Sequence, residues 1–177
     1  IRDSINSVCV GEPITFTNIS VGGVTSLGWD FGENPGIDAT DPTVVYTYNT
    51  PGTYSVTLQA NNAQCGDTIT QTNLITVVPR PIADFSPDHV QDCQPGIPFA
   101  FTDQSTGADN WFWDFGDSAT TSTLQNPSHT YTDFGVYTVC LIVSNNQGCS
   151  DTTCTSVTIA PPAINYDFNP KQGCAPR

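Results

Sequence analysis

Apolar and polar residues alternate along much of the chain with a period of two. Tyr54, Val56 and Leu58 alternate with Ser55, Thr57 and Gln59; further on, Tyr137, Val139, Leu141 and Val143 alternate with Thr138, Cys140 and Ile142. Successive side chains of a strand point to opposite faces, so this period marks half-buried strands. By the same rule Leu27, Trp29 and Phe31 share one face, as do Trp111, Trp113 and Phe115. Phe112 falls on the outer face, where the earlier stretch has Gly28, and is a candidate contact for a ligand or a neighbouring module. Gly, Pro, Asn and Asp punctuate the strands, as turns require.

The pattern repeats. Cys9 and Cys93 stand 84 positions apart, and so do Trp29 and Trp113, and Cys65 and Cys149. Trp29-Asp30-Phe31-Gly32 returns as Trp113-Asp114-Phe115-Gly116, and Cys65-Gly66-Asp67-Thr68 as Cys149-Ser150-Asp151-Thr152. A third copy begins near the end: Asp84-Phe85-Ser86-Pro87 matches Asp167-Phe168-Asn169-Pro170, and Cys93 matches Cys174. Self-similarity at a fixed period signals tandem modules. The expected division is 1–79, with an incomplete first strand, then 80–161, then 162–177 as the opening of a third module. Pro79-Arg80-Pro81 and Pro161-Pro162 mark the boundaries, since proline interrupts a strand and stiffens a linker. Short strands in units of about 80 residues predict an all-β chain of two-sheet sandwiches, joined as a semi-rigid rod.

Composition sharpens this picture. Seventeen acids, fifteen of them Asp, face four bases (Arg2, Arg80, Lys171 and Arg177), for a net charge of −13. Such a surface cannot displace counterions from nucleic acid, though divalent cations would suit it. There is no apolar run long enough to cross a bilayer, and no Met, so the chain reads as the interior of a longer, processed polypeptide.

Seven cysteines without a Cys-x-x-Cys pair, and only His89 and His129 as histidines, point to disulfides in an oxidising compartment rather than to zinc. Each module has one cysteine before its first full strand and one after a late turn, so the expected links are Cys9–Cys65 and Cys93–Cys149. Closing loops of 56 residues (65 − 9; 149 − 93) would contribute roughly 4 kcal/mol each in the chain-entropy model. Cys140 and Cys154 fall on the outer face of a hairpin and are expected to form a cross-strand disulfide; Thr57 and Thr70 take their places in the first module. Cys174 is left over, its partner expected beyond the end of the sequence.

Asp30 and Asp114 are candidate calcium ligands, but no Asp-x-Asp-x-Asp loop accompanies them. Each reads better as capping the turn after its Trp strand, and Asp117 and Asp133 as turn acids. Apart from calcium no cofactor is implied. Trp29, Trp111, Trp113, Tyr54 and Tyr137 could stack on sugars, but alternation turns most of them inward. His129 has no counterpart in the first module and no nucleophile to serve, so nothing here reads as an enzyme. Lys171 lies outside both modules, which leaves them no lysine for Lys–Asn isopeptide bonds. Arg80 is followed by Pro81, so both modules should resist trypsin.

Trp113-Asp114-Phe115-Gly116-Asp117, His129-Thr130-Tyr131 and Gly135-Val136-Tyr137-Thr138-Val139 resemble the hallmark motifs of PKD domains, immunoglobulin-like sandwiches named after polycystic kidney disease proteins. The first module departs twice: Glu33 stands for the second Asp, and Tyr46-Thr47-Tyr48 for the His-Thr-Tyr. The paired cysteines and Gly148-Cys149-Ser150-Asp151-Thr152 are similar to repeats in large surface and gliding adhesins of Bacteroidota. That resemblance implies an extracellular location on a Gram-negative cell. It also implies O-glycosylation at Ser4, Thr68, Ser118 and Thr152, each preceded by Asp; Asn18-Ile19-Ser20 is one N-glycosylation sequon. The expected role is an adhesin stalk whose partners are neighbouring modules of the same chain, with surface glycans or substratum ligands as further candidates. A self-assembling filament or sheath subunit, and an accessory region of a secreted hydrolase, are the alternatives.

Overall fold

A computed structural model describes residues 7–162. Ser4, Lys171, Cys174 and, Pro162 apart, the expected third module lie outside the described residues. The chain divides into two compact units, residues 1–80 and 81–177, and no helix occurs among the described residues.

In the first unit β1 (Ser7–Cys9), β6 (Gly66–Val78), β5 (Gly52–Asn61) and β3 (Ser26–Asp30) form one sheet in that order; β2 (Pro13–Thr17) and β4 (Thr43–Thr47) pair as a second. The alternation of Ile14 and Phe16 with Pro13, Thr15 and Thr17 puts the apolar pair inward. They meet Trp29, Phe31, Tyr48, Val56, Leu58, Ile75 and Val77 in one core. Trp29 and Phe31 are wholly buried, and each such aromatic or aliphatic side chain contributes about 1.5–3 kcal/mol by leaving water.

The second unit repeats this plan. One sheet runs β11 (Thr121–Ser122), β10 (Asn110–Asp114), β13 (Gly135–Ser144), β14 (Ser150–Ile159), β8 (Gln91–Asp92). The other runs β12 (Ser128–Thr130), β9 (Pro98–Asp103), β7 (Phe85–Pro87). Between them lie Phe99, Phe101, Trp113, Phe115, Tyr131, Val139, Leu141, Val143, Val157 and Ile159. Trp111 packs against this cluster only in part. The units are all-β, immunoglobulin-like sandwiches.

Two details of register matter for function. First, an early strand of each unit runs parallel to its last strand, at that strand's far end: β1 places Cys9 opposite Val78, and β8, which follows β7, places Asp92 opposite Ile159. Within a unit, then, the chain leaves at one pole, and the hairpin that starts the last strand is at the other. Second, β5 and β6 slip register between Tyr54 and Val56, whose partners are Ile75 and Gln71. The two extra residues form a bulge in which Asn73 takes a left-handed φ of 54° and its N–H bonds Ser55 Oγ. β13 and β14 pair without a slip.

Candidate functional site

The recurring Trp-Asp-Phe-Gly segment builds the same corner in both units. Asp30 Oδ1 accepts the Gly32 N–H at 2.9 Å, and Asp114 Oδ1 accepts the Gly116 N–H at 2.9 Å. The turn demands glycine: φ is 79° at Gly32 and 75° at Gly116, and a Cβ at Gly116 would lie 2.4 Å from Thr138 O. Each Trp indole donates into a loop, Trp29 to Asp41 O and Trp113 to Leu124 O. Tyr48 and Tyr131 lie in the core and donate to Phe31 O and Phe115 O; burial pushes both phenols well above their ordinary pKa. Among the described residues no three of His, Cys, Asp and Glu converge as a metal-ligand set.

Beside that corner in the second unit, a recess of about 360 Å³ is lined by Asp117, Thr120, His129, Tyr131 and Tyr137, among others. Asp117 Oδ2 accepts Thr120 Oγ1–H at 2.6 Å and lies 3.0 Å from His129 Nε2; its Oδ1 accepts the Ala119 and Thr120 N–H groups. Partial burial works to raise the Asp117 pKa. The Thr120 and Ala119 hydrogen bonds and the nearby His129 outweigh it and hold the carboxyl at about 2. His129 stacks on Phe115, ring centroids 4.3 Å apart. The order of partners is wrong for nucleophilic catalysis. A catalytic imidazole links hydroxyl and carboxylate through its two nitrogens, whereas here His129 turns the single nitrogen Nε2 to both Asp117 Oδ2, at 3.0 Å, and Thr120 Oγ1, at 3.3 Å, and the carboxylate accepts the hydroxyl's hydrogen bond directly. The group is a knot that fixes a loop.

The first unit ties the same knot with other residues. Tyr46 OH donates to Glu33 Oε2 at 2.8 Å, and its ring stacks on Phe31 at 4.1 Å; burial and then the Glu33 carboxylate push the phenol pKa up. Along the sequence Glu33 and Tyr46 stand as two separate departures from the motif. They are one compensated exchange, an acid and its aromatic partner changed together. A further lock, invisible to motif reasoning, is Asp103, whose Oδ2 accepts Trp111 Nε1–H at 2.7 Å and Gln125 Nε2–H at 2.9 Å. Burial raises the Asp103 pKa, but hydrogen bonds from Ser105, Gln125 and Trp111 bring it below the ordinary value. His89, whose residue type suggests nothing beyond a zinc ligand, stacks on Phe99 with Nδ1 2.7 Å from Asp88 Oδ1.

Cys140 and Cys154 stand directly opposite on β13 and β14 and form a disulfide, Cα–Cα 4.1 Å. Thr57 and Thr70 occupy the matching register in the first unit and hydrogen-bond at 2.9 Å. The Cys9–Cys65 expectation is corrected. Cys65 is a free, exposed thiol at the β5–β6 turn. Cys9 lies at the far end of the 13-residue β6, roughly 40 Å away along the strand where a disulfide tolerates about 7 Å between Cα atoms. Cys93 and Cys149 flank opposite ends of the 10-residue β14, some 30 Å apart, so that expected link is corrected on the same ground. Cys9, Cys93 and Cys149 are nonetheless disulfide-bonded.

Thr68, Ser118 and Thr152 are exposed. Asn18 Oδ1 accepts the Ser20 N–H, a tight local turn within the N-glycosylation sequon. Phe112 is 43% exposed, directly opposite the partly exposed Ile142 on the outer face. In the first unit Ile37 covers the matching Gly28, at which a Cβ would lie 2.7 Å from Ile37 Cδ1.

The PKD domain family matches this chain twice, over residues 2–75 and over residues 78–160. This chain belongs to the PKD-domain family. Among solved structures it is similar to the PKD1 domain of the Vibrio cholerae metalloprotease PrtV, at 29% identity over 46% of this chain and 98% of that one, TM-score 0.40. It is also similar to the PKD1 domain of Vibrio anguillarum Epp, at 29% over 47% and 96%, TM-score 0.41. A structure of carbohydrate-binding modules of the β-sandwich superfamily aligns at 27% identity over 46% of this chain, TM-score 0.42, and the chain spans 35% of that structure's length. PKD domains are typically non-catalytic structural modules, often adhesive or accessory repeats. Disulfides in PKD modules fit an extracellular protein, and no helix among the described residues is long and apolar enough to cross a membrane.

Proposed function

We propose that these tandem PKD modules are a non-catalytic, force-bearing stalk of a secreted cell-surface adhesin on a Gram-negative bacterium. The supporting observation is the parallel pairing of an early strand of each module with its closing strand, Ser7–Cys9 on Thr76–Val78 and Gln91–Asp92 on Thr158–Ile159. β1 begins toward the hairpin pole and β6 ends at the opposite pole. Force entering at the start of β1 and leaving at the end of β6 therefore loads their hydrogen bonds in shear, all together, instead of unzipping them one by one. A net charge of −13 keeps copies apart in solution. The partners in this reading are neighbouring modules and, at the end of the stalk, surface glycans or substratum ligands. O-glycosylation at Thr68, Ser118 and Thr152 belongs to this reading, and their exposure supports it.

Single-molecule pulling tests the role. The stalk reading expects a separate rupture for each module, and loss of the first module's rupture when Val8→Pro removes a hydrogen bond of the short clamp. Smooth extension without discrete ruptures would contradict it.

A further inference from the structure

Cys65 is an exposed free thiol in a protein whose other described cysteines are all oxidised. Its counterpart in the second module, Cys149, is buried and sits in a turn one residue longer that is held by the same kinds of hydrogen bond. Asn62 Oδ1 accepts the Gln64 and Cys65 N–H groups at 2.9 Å each, and Asn145 Oδ1 accepts those of Gln147 and Cys149 at 3.1 and 3.0 Å. The backbone closes likewise, Asn62 N–H to Cys65 O and Asn145 N–H to Cys149 O. One hairpin design holds a bonded sulfur in one module and a thiol in the other. Register forbids Cys65 from reaching Cys9, and Cys149 from reaching Cys93, because each pair lies at opposite poles of its own sandwich.

Each of the two modules thus carries one cysteine at each pole, and the two cannot meet within it. We propose that Cys65 is the receiving end of a junction between modules: it forms a disulfide with the cysteine at the position of Cys9 in another PKD module of this kind. Such a pairing is head-to-tail, so it extends a chain instead of closing a dimer. The surroundings suit a docking sulfur. Cys65 opens onto a recess of about 480 Å³ lined by Val21, Gly22, Val24, Asn61 and Asn62 among others, with Val21 92% exposed. No basic side chain lines it, as a catalytic thiol would require. The chemistry is thiol–disulfide exchange. The Cys65 thiolate attacks a low-molecular-weight disulfide such as oxidised glutathione, forming a mixed disulfide and releasing one glutathione thiolate. The incoming module's thiolate then attacks the Cys65 sulfur and expels the second. Two protein thiols are oxidised, one glutathione disulfide is reduced to two thiols, and the protein protons pass to the leaving thiolates.

This proposal rests on the stalk reading and is tested apart from it. The whole chain is extended at its N-terminus by a copy of residues 1–80 whose own Cys65 is replaced by Ser, which supplies a module with a cysteine at the position of Cys9, and is refolded in a glutathione redox buffer. Iodoacetamide labelling of native Cys65 should fall about tenfold relative to the unextended chain, and non-reducing peptide mapping should link Cys65 to the added first-strand cysteine. Replacing that added cysteine by Ser should restore labelling; Cys65→Ser should leave the fold, followed by near-ultraviolet circular dichroism, unchanged. Undiminished labelling of Cys65, a glutathione adduct as the end product, or a Cys65–Cys65 disulfide between two copies of the chain would each overturn the proposal. The pulling experiment reads the stalk independently: discrete ruptures with Cys65 still free would leave the stalk standing and the junction refuted.

Discussion

The cross-strand disulfide of the second module and the threonine pair of the first are the same register position filled in two ways, and exchanging them is the most direct test of the energetics. Cys140 and Cys154 close a loop with a sequence separation of 14, which in the chain-entropy model is worth about 3 kcal/mol. A Thr pair at the same place returns roughly 0.2–1 kcal/mol. The Cys140→Thr/Cys154→Thr variant should therefore lose about 2–3 kcal/mol, or roughly 10–20 °C in the midpoint of a module this size. The reverse exchange, Thr57→Cys/Thr70→Cys, closes 13 positions (70 − 57) between hydroxyls already 2.9 Å apart and should stabilise the first module by a similar amount. Differential scanning calorimetry would follow both, with hydrogen exchange at Val139 and Val56 assigning each transition to its module. A second-module midpoint within about 4 °C of wild type would refute the reasoning, because it would mean that the reduced chain is no freer than the bridged one.

His129→Tyr and Asp117→Glu should each destabilise the second module, while the double variant reproduces the Tyr46–Glu33 arrangement; thermal denaturation of the double-mutant cycle should give a favourable coupling of about 1 kcal/mol. Gly116→Ala places a Cβ against Thr138 O at a φ of 75° and should cost about 2–4 kcal/mol in urea denaturation; Gly32→Ala, with 2.7 Å to Ser55 O, should cost somewhat less. The Asp117 carboxyl is depressed from 3.8 to about 2 with its side chain 21% exposed, so its contribution is complete above pH 4 and fades as pH falls through 2. Urea midpoints between pH 5 and pH 2 should show a loss of about 2 kcal/mol in wild type that is missing in Asp117→Asn.

Most of the fold was legible because it depends on local rules. Alternation fixes which face of a strand is buried, so it alone assigns Val139, Leu141 and Val143 to the core and Cys140 to the outer face. From there the Cys140–Cys154 bridge needs only the neighbouring strand. Glycine after Trp-Asp-Phe, with Asp capping it, is likewise a matter of a few bonds. The coupled exchange of Glu33 and Tyr46 for Asp117 and His129 was not legible, because the partners lie on separate strands and loops. Nothing in either segment alone says that they touch.

The sequence by itself therefore determined the strands, their inward faces, the repeat and its family, since these follow from period-two patterning and motif residues. Only the tertiary structure decided which cysteines can meet. The expectation for Cys9 and Cys65 rested on their order along the chain. A parallel first strand lying on the far end of the last one puts them at opposite poles of the sandwich, and order along a chain carries no information about that.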